Sequence, residues 1–149
     1  FEMLQQAVFP TISRTLDKKL LLKLIFISLI LGLFLMLILN IFALELLQLF
    51  GGLELLNYVS TLKCLSLLTP LMSVTFILGS CALVAFGFFK EYNRSLIISS
   101  LIYLICVGIL YFLNQITFWN LIYLRVFSDF ILVFIRGFYV VKKKVLSFK

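Results

Sequence analysis

Four stretches of the chain are almost wholly apolar, and each is bounded by polar or charged residues. The first runs from about Leu24 to Ala43, "LIFISLILGLFLMLILNIFA", and breaks at "FGGLELLNY". The second runs from about Cys64 to Phe89, "CLSLLTPLMSVTFILGSCALVAFGFF", and ends at "KEYNR". The third, from about Leu96 to Leu113, ends at "NQIT", and the fourth, from about Phe118 to Val141, ends in "KKK". A helix rises about 1.5 Å per residue, so the roughly 30 Å of bilayer hydrocarbon takes about 20 residues, a length these stretches meet. Strands of a membrane barrel alternate apolar and polar residues over about ten positions, whereas these runs are apolar on every face, so the pattern predicts helices. No internal repeat or low-complexity linker separates them. The short connections predict one all-α bundle whose sequence neighbours are antiparallel. Ahead of the first span, "FEMLQQAVF" reads as the tail of a preceding helix whose beginning is missing, since the chain opens at Phe1 and not at Met. Pro10 is expected to end that helix by withholding an amide donor.

Composition moves the reading from helical to membrane-embedded. Of 149 residues, 64% are hydrophobic and 13% charged, with a mean hydropathy of +1.22, against about half and about a quarter in soluble domains. The first apolar run is far longer than a signal-peptide core and has no small-residue cleavage site. The net charge of +7 does not point to nucleic acid, because the basic residues sit in short clusters between apolar runs and form no aromatic-and-basic face. Their placement predicts topology instead. Arg14, Lys18, Lys19 and Lys23 precede the first span, Lys90 and Arg94 join the second to the third, and Lys142, Lys143, Lys144 and Lys149 follow the fourth. The opposite connections hold Glu45, Glu54 and only Lys63. By the preference of Lys and Arg for the cytoplasmic side, both ends are expected in the cytoplasm.

The chain has no His, and Cys64, Cys81 and Cys106 lie far apart within apolar runs. That spacing argues against a metal site, a redox pair or a disulfide framework, and the thiols read as small core residues. No cofactor is expected, and no nucleophile-and-base pair or phosphate-cradling glycine loop is visible. Two stretches carry candidate chemistry. In the second span, "LLTPLMSVTFILGS" sets Pro70 among hydroxyls and Gly79, a composition that permits a kink and close helix contact and equally suits ordinary packing. In the fourth, "YLRVFSDFILVFIRGF" sets Arg125 four residues before Asp129, on one helix face, with Arg136 seven beyond on roughly the same stripe. From a start near Phe118, Arg125 lies about 10 Å in and Asp129 about 16 Å. A charge at that depth costs about 2.5–3.5 kcal/mol on insertion scales and commonly faces a water-filled cavity or a partner helix. The pair suits a cavity role and a purely structural, self-paired role equally, while Arg136 is expected to snorkel to the nearby surface. Asn40, Glu45, Asn114 and Gln115 read as interfacial, and Tyr103, Tyr111, Trp119 and Tyr123 as aromatic belt or packing.

The succession of "QQAVFPTISR", a basic turn, a span, "LLTPLMSVTFILGS", the "GFFKEYNR" turn, a third span and a last span ending in lysines resembles the C-terminal part of the polysaccharide-biosynthesis flippases. These are the O-antigen (Wzx-type) repeat-unit translocases of the multidrug/oligosaccharidyl-lipid/polysaccharide exporter superfamily, and the resemblance covers essentially the whole chain. It implies four transmembrane helices plus the tail of a preceding one, as part of a transporter of roughly twelve helices in two lobes around a central cavity. The cargo it implies is an undecaprenyl-pyrophosphate-linked oligosaccharide carried across the bacterial inner membrane, with membrane lipids and the remaining helices as further partners. It nominates Arg125 for the pyrophosphate or acidic sugars, with Asp129 beside it, and matches Pro10, Ser13 and Arg14 to the family's turn. Pro70, Gly79 and Pro10 become hinge candidates. The charges of the fourth span depart from many relatives. Two alternatives stay open: another exporter of the superfamily, such as a drug/cation antiporter or a lipid II flippase, and a small structural four-helix membrane protein.

Overall fold

The chain leaves its first helix at Leu16, whose φ of 49° no helix continues, and Asp17 then caps the next one. The Asp17 carboxylate accepts from the Lys19 and Leu20 amides at 2.8 and 3.3 Å, which draws the basic turn into the helix. The computed structural model describes residues 2–145, all in helices and short turns with no strand among them. In chain order these are α1 (Glu2–Thr15), α2 (Lys18–Ile41), α3 (Ala43–Gly51), a 3-10 segment (Leu53–Tyr58), α4 (Val59–Leu65), α5 (Leu68–Phe76), a π-helical segment (Ile77–Val84), α6 (Phe89–Phe112) and α7 (Phe118–Lys142). Lys149 and Phe1 lie outside the described residues.

Several expected boundaries move, each for a local reason. Pro10 does not end α1, which runs through it to Thr15. Its missing amide removes one bond; the helix continues so that Ile12 reaches the core, and the Ser13 and Thr15 hydroxyls donate to the Pro10 and Thr11 carbonyls. The "KEYNR" connector is helical and belongs to α6; the chain reverses earlier, at Gly87 with φ 81°. The expected span over 64–89 is not one straight rod. It begins at Val59 and bends by 42° where α4 gives way to α5. Pro70 sits in the first turn of α5, so the Ser66 carbonyl one turn back has no Pro70 amide to accept from. The Thr69 amide and hydroxyl serve it instead, at 3.0 and 2.8 Å. Half-buried Asn40 completes the bend by donating to Ser66 Oγ at 2.6 Å, an inward role in place of the interfacial one expected of it.

Three helices, α2, α6 and α7, are each long and apolar enough to cross a membrane, and the bent α4–α5 unit with its π-helical extension adds a fourth crossing if it acts as one span. Side-chain placement accords with a multi-pass membrane protein. Large apolar residues face outward along these helices, among them Phe26, Phe34, Leu101, Leu104, Phe130 and Phe134, and such a surface far exceeds the few hundred Å² of apolar patch that monomers in water carry. The interior holds polar residues as well as apolar ones. Ser28, Ser66, Ser73, Ser95 and Ser99 are buried, each donating its hydroxyl to the carbonyl three residues back.

Two contacts hold the bundle. Gly32 of α2 meets α5 so closely that a Cβ there would lie 2.6 Å from Pro70 Cα and 2.6 Å from Ser73 Oγ, and Thr69 Oγ1 donates to the Gly32 carbonyl at 3.0 Å. Small residues permit that approach, and van der Waals packing is what helices gain by it in lipid. At one end an apolar core gathers Ile12, Leu21, Leu24, Ile77, Cys81, Leu83 and Val140. Cys81 is fully buried there, whereas Cys64 and Cys106 are only half-buried. The same end collects the charges: Lys143 pairs with Glu91 at 2.6 Å, and Lys18 Nζ donates to the Lys144 carbonyl at 3.5 Å. These contacts join the start of α2, the start of α6 and the end of α7. At the far end Tyr58 packs edge-on to Phe118, and Trp119 stacks on Tyr123. α6 and α7 are therefore antiparallel, and α2 runs parallel to α6 with the bent α4–α5 unit returning the chain between them.

Candidate functional site

The fourth apolar run forms α7 as expected, starting where Thr117 Oγ1 accepts from the Asn120 amide at 3.2 Å. Its charged stripe faces α5, the π-helical segment and α6. Arg125 and Asp129 come together as an i,i+4 pair with Nη2 3.1 Å from Oδ2, the Arg side chain 47% exposed and the Asp side chain 10%. Among the described residues Oδ2 is buried and receives no hydrogen bond, and its compensation is the nearby Arg125 guanidinium.

Arg136 does not snorkel. It is 4% exposed, donates through Nη1 to the Thr75 carbonyl at 2.8 Å and through Nε to Ser95 Oγ at 3.3 Å, and sits 4.7 Å above the Tyr92 ring. Two features of the second span make this possible. From Ile77 the helix widens to the π pattern, with i to i+5 bonds such as Ala85 N to Ser80 O at 3.0 Å and Phe88 N to Leu83 O at 2.7 Å. At Gly79 the guanidinium occupies the space of a side chain: a Cβ there would lie 2.6 Å from Arg136 Nη1. A cation buried inside an apolar bundle thus has a carbonyl, a hydroxyl and an aromatic face for partners, as burial of a charge demands.

These side chains line two adjoining cavities. One, about 230 Å³, is walled by Thr75, Ser80, Tyr92, Arg125, Asp129 and Arg136. The other, about 460 Å³, adds Ser99, Ser100, Tyr103 and Ser128, and the two share Arg125 and Asp129. Thr75 Oγ1, on the first, is the other buried side-chain oxygen without a partner among the described residues. A larger hollow of about 580 Å³ between α6 and α7 has Gln115, Asn120 and Tyr123 on its wall and no charged residue. The cleft thus sets a few polar groups of net positive charge into a largely apolar wall at mid-helix depth, with donors for an anion and one poorly compensated carboxylate.

Of the residues nominated from sequence, Arg125 and Asp129 share this cleft, and Gly79 lies beneath Arg136 at its edge. Arg14 is exposed in the last turn of α1 and lines neither cavity. Pro70 lies at the α2 contact and Pro10 within α1. Sequence reasoning noticed Arg136 but sent it to the surface, and gave no site role to Tyr92, Ser95 or Thr75. The available signal was the pair of serines at 95 and 99, a hydroxyl stripe of the right spacing to meet the stripe of α7. No protein-family model, curated protein or solved structure matches this chain.

Proposed function

We propose that the chain is part of an alternating-access transporter of the bacterial inner membrane that carries undecaprenyl-pyrophosphate-linked oligosaccharides from the cytoplasmic to the periplasmic leaflet. In this reading it forms the last helices of a two-lobed, roughly twelve-helix protein, with both ends of the chain cytoplasmic. The observation that carries it is half-exposed Arg125, tethered to buried Asp129 in a net cationic cleft about midway along α7, inside a bundle whose long helices turn large apolar side chains outward. Physically, a pyrophosphate cannot cross hydrocarbon bare, because the cost of desolvating its charge is prohibitive. A cationic cleft lowers that cost while the polyprenyl tail stays in lipid. Opening the cleft to one side and then the other moves the head group without moving the charge through the bilayer core.

Arg125→Ala in the full-length protein tests the reading. Loss of a charge-assisted contact of about 1.5–3 kcal/mol corresponds to more than tenfold weaker cargo binding. Surface-polysaccharide display should fall accordingly while the protein stays in the membrane. Normal display at equal expression would remove Arg125 from transport.

A further inference from the structure

We propose that the cleft binds a phosphate-class anion together with one proton, the proton going to Asp129 as the anion takes over Arg125. The proposal rests on the transport reading above and deepens it by naming what drives the exchange. Its basis is the asymmetry of the pair. Arg125 is half-exposed and held by a single contact, so its forked donors are available to a ligand entering either cavity. Asp129 is nine-tenths buried, and its Oδ2 has no hydrogen bond to fall back on once Arg125 turns away. Arg136 is already committed to the Thr75 carbonyl, Ser95 Oγ and the Tyr92 ring.

Among the described residues lining the two cavities, the only cation besides Arg125 is Arg136, whose donors are turned to Thr75 and Ser95; the other polar groups are neutral hydroxyls. From α5 and the π-helical segment come Met72, Thr75, Phe76 and Ser80, none of them charged. From α6 come Tyr92, Ser99, Ser100 and Tyr103 among apolar neighbours, again without a cation or a second carboxylate. From α7 come Ser128 and Leu132, both uncharged, and the two cations Arg125 and Arg136. An anion on Arg125 would therefore stand beside a buried carboxylate stripped of its partner, two like charges in a low-dielectric cleft. Taking one proton from solvent removes the conflict. The ion pair opens, the guanidinium bonds to the anion, and the neutral carboxyl gains an O–H in a cavity that also holds Thr75 Oγ1, an oxygen without a partner. The charge change of the site is then the anion's charge plus one.

Sulfate is the probe, because its charge stays fixed through the neutral range and every proton counted belongs to the protein. The full-length protein in phosphatidylcholine nanodiscs is titrated with sulfate by calorimetry in buffers of differing ionisation enthalpy. The expected result is close to one proton taken up per sulfate and an affinity about tenfold weaker for each unit rise in pH. Asp129→Asn should bind sulfate without proton uptake and without pH dependence, and Arg125→Gln should not bind it. Replacing part of the phosphatidylcholine with phosphatidylglycerol separates two sources of the same chemistry. Competition with sulfate assigns the site to a lipid phosphate, and its absence assigns it to the phosphate of a cargo or a free anion. Sulfate binding by the unmodified protein with no proton uptake, or no binding at all, overturns the proposal without need of any variant. If that happens while Arg125→Ala still abolishes polysaccharide display, the transport reading survives; proton-linked binding with normal display sinks transport and keeps the coupled site.

Discussion

Replacing Gly79 by Ala tests whether the buried guanidinium of Arg136 organises the second span. The new Cβ would lie 2.6 Å from Arg136 Nη1, 2.9 Å from its Cζ and 2.9 Å from Tyr92 Cε2, closer than side-chain carbons approach such atoms. The backbone at Gly79 is packed on the core, so the guanidinium must yield, and with it go the 2.8 Å bond to the Thr75 carbonyl and the contact over Tyr92. A hydrogen bond from a charged donor contributes about 1.5–3 kcal/mol, and a desolvated cation over an aromatic ring about 1–2 kcal/mol. Against this, Ala in place of Gly within a helix gains only about 0.5–1 kcal/mol. The loss wins, and Gly79→Ala should destabilise the protein by about 1.5–4.5 kcal/mol.

The assay is equilibrium unfolding in mixed micelles, run as a double-mutant cycle with Arg136→Met. Methionine keeps the length and flexibility of the side chain and removes the planar charged head. In that background Gly79→Ala should cost no more than about 0.5 kcal/mol, because only the edge of Tyr92 remains near and the ring is free to tilt once the cation above it is gone. Equal costs in the two backgrounds would refute the steric argument. They would mean that Gly79 matters for the backbone of the π-helical segment and not for the residue lying over it.

Two further outcomes follow from the same geometry. Gly32→Ala would drive a Cβ to 2.6 Å from the Pro70 backbone, which cannot rotate away, so α2 and α5 must separate and the midpoint of unfolding should drop by more than for Gly79→Ala. Gly108→Ala, with nothing within 4 Å, should be neutral or slightly stabilising, and a large loss there would discredit the comparison. In a variant lacking Cys64, Cys81 and Cys106, single cysteines at Glu54 and Lys90 should react with an impermeant thiol reagent from opposite sides of the membrane. Reaction of both from one side would rule out the orientation proposed from the basic residues.

How much of this was legible beforehand depends on what kind of contrast the sequence carries. The contrast between apolar runs and charged breaks determined the all-helical class and helices long and apolar enough to cross a membrane, and it located α7 closely, from Phe118 to within a residue of its end at Lys142. Four-residue spacing alone determined that Arg125 and Asp129 share a face and pair, because helix geometry is local. Polar caps were legible only in hindsight. Asp17 carries α2 back to Lys18, ahead of the expected Leu24, and the "KEYNR" residues continue α6, since a helix goes on past its apolar stretch for as long as the backbone is satisfied.

What only the tertiary structure decided is which side of each apolar helix faces inward. In water the buried face is apolar and the outer face polar, so periodicity reveals packing. Here outward-facing Phe34 and core-facing Leu24 are alike in hydrophobicity, and the stripe of α2 that packs inward is marked by Ser28 and Gly32 as well as by Leu21 and Leu24. The bend between α4 and α5, the π-helical widening after Phe76 and the burial of Arg136 all depend on partners distant in sequence: Asn40 on Ser66, Gly32 on Pro70, and Thr75, Gly79 and Ser95 around the guanidinium. Local rules put Arg136 near a helix end and would have sent it to the surface. A carbonyl, a hydroxyl and a missing side chain on two other helices make the interior the better solvent for it.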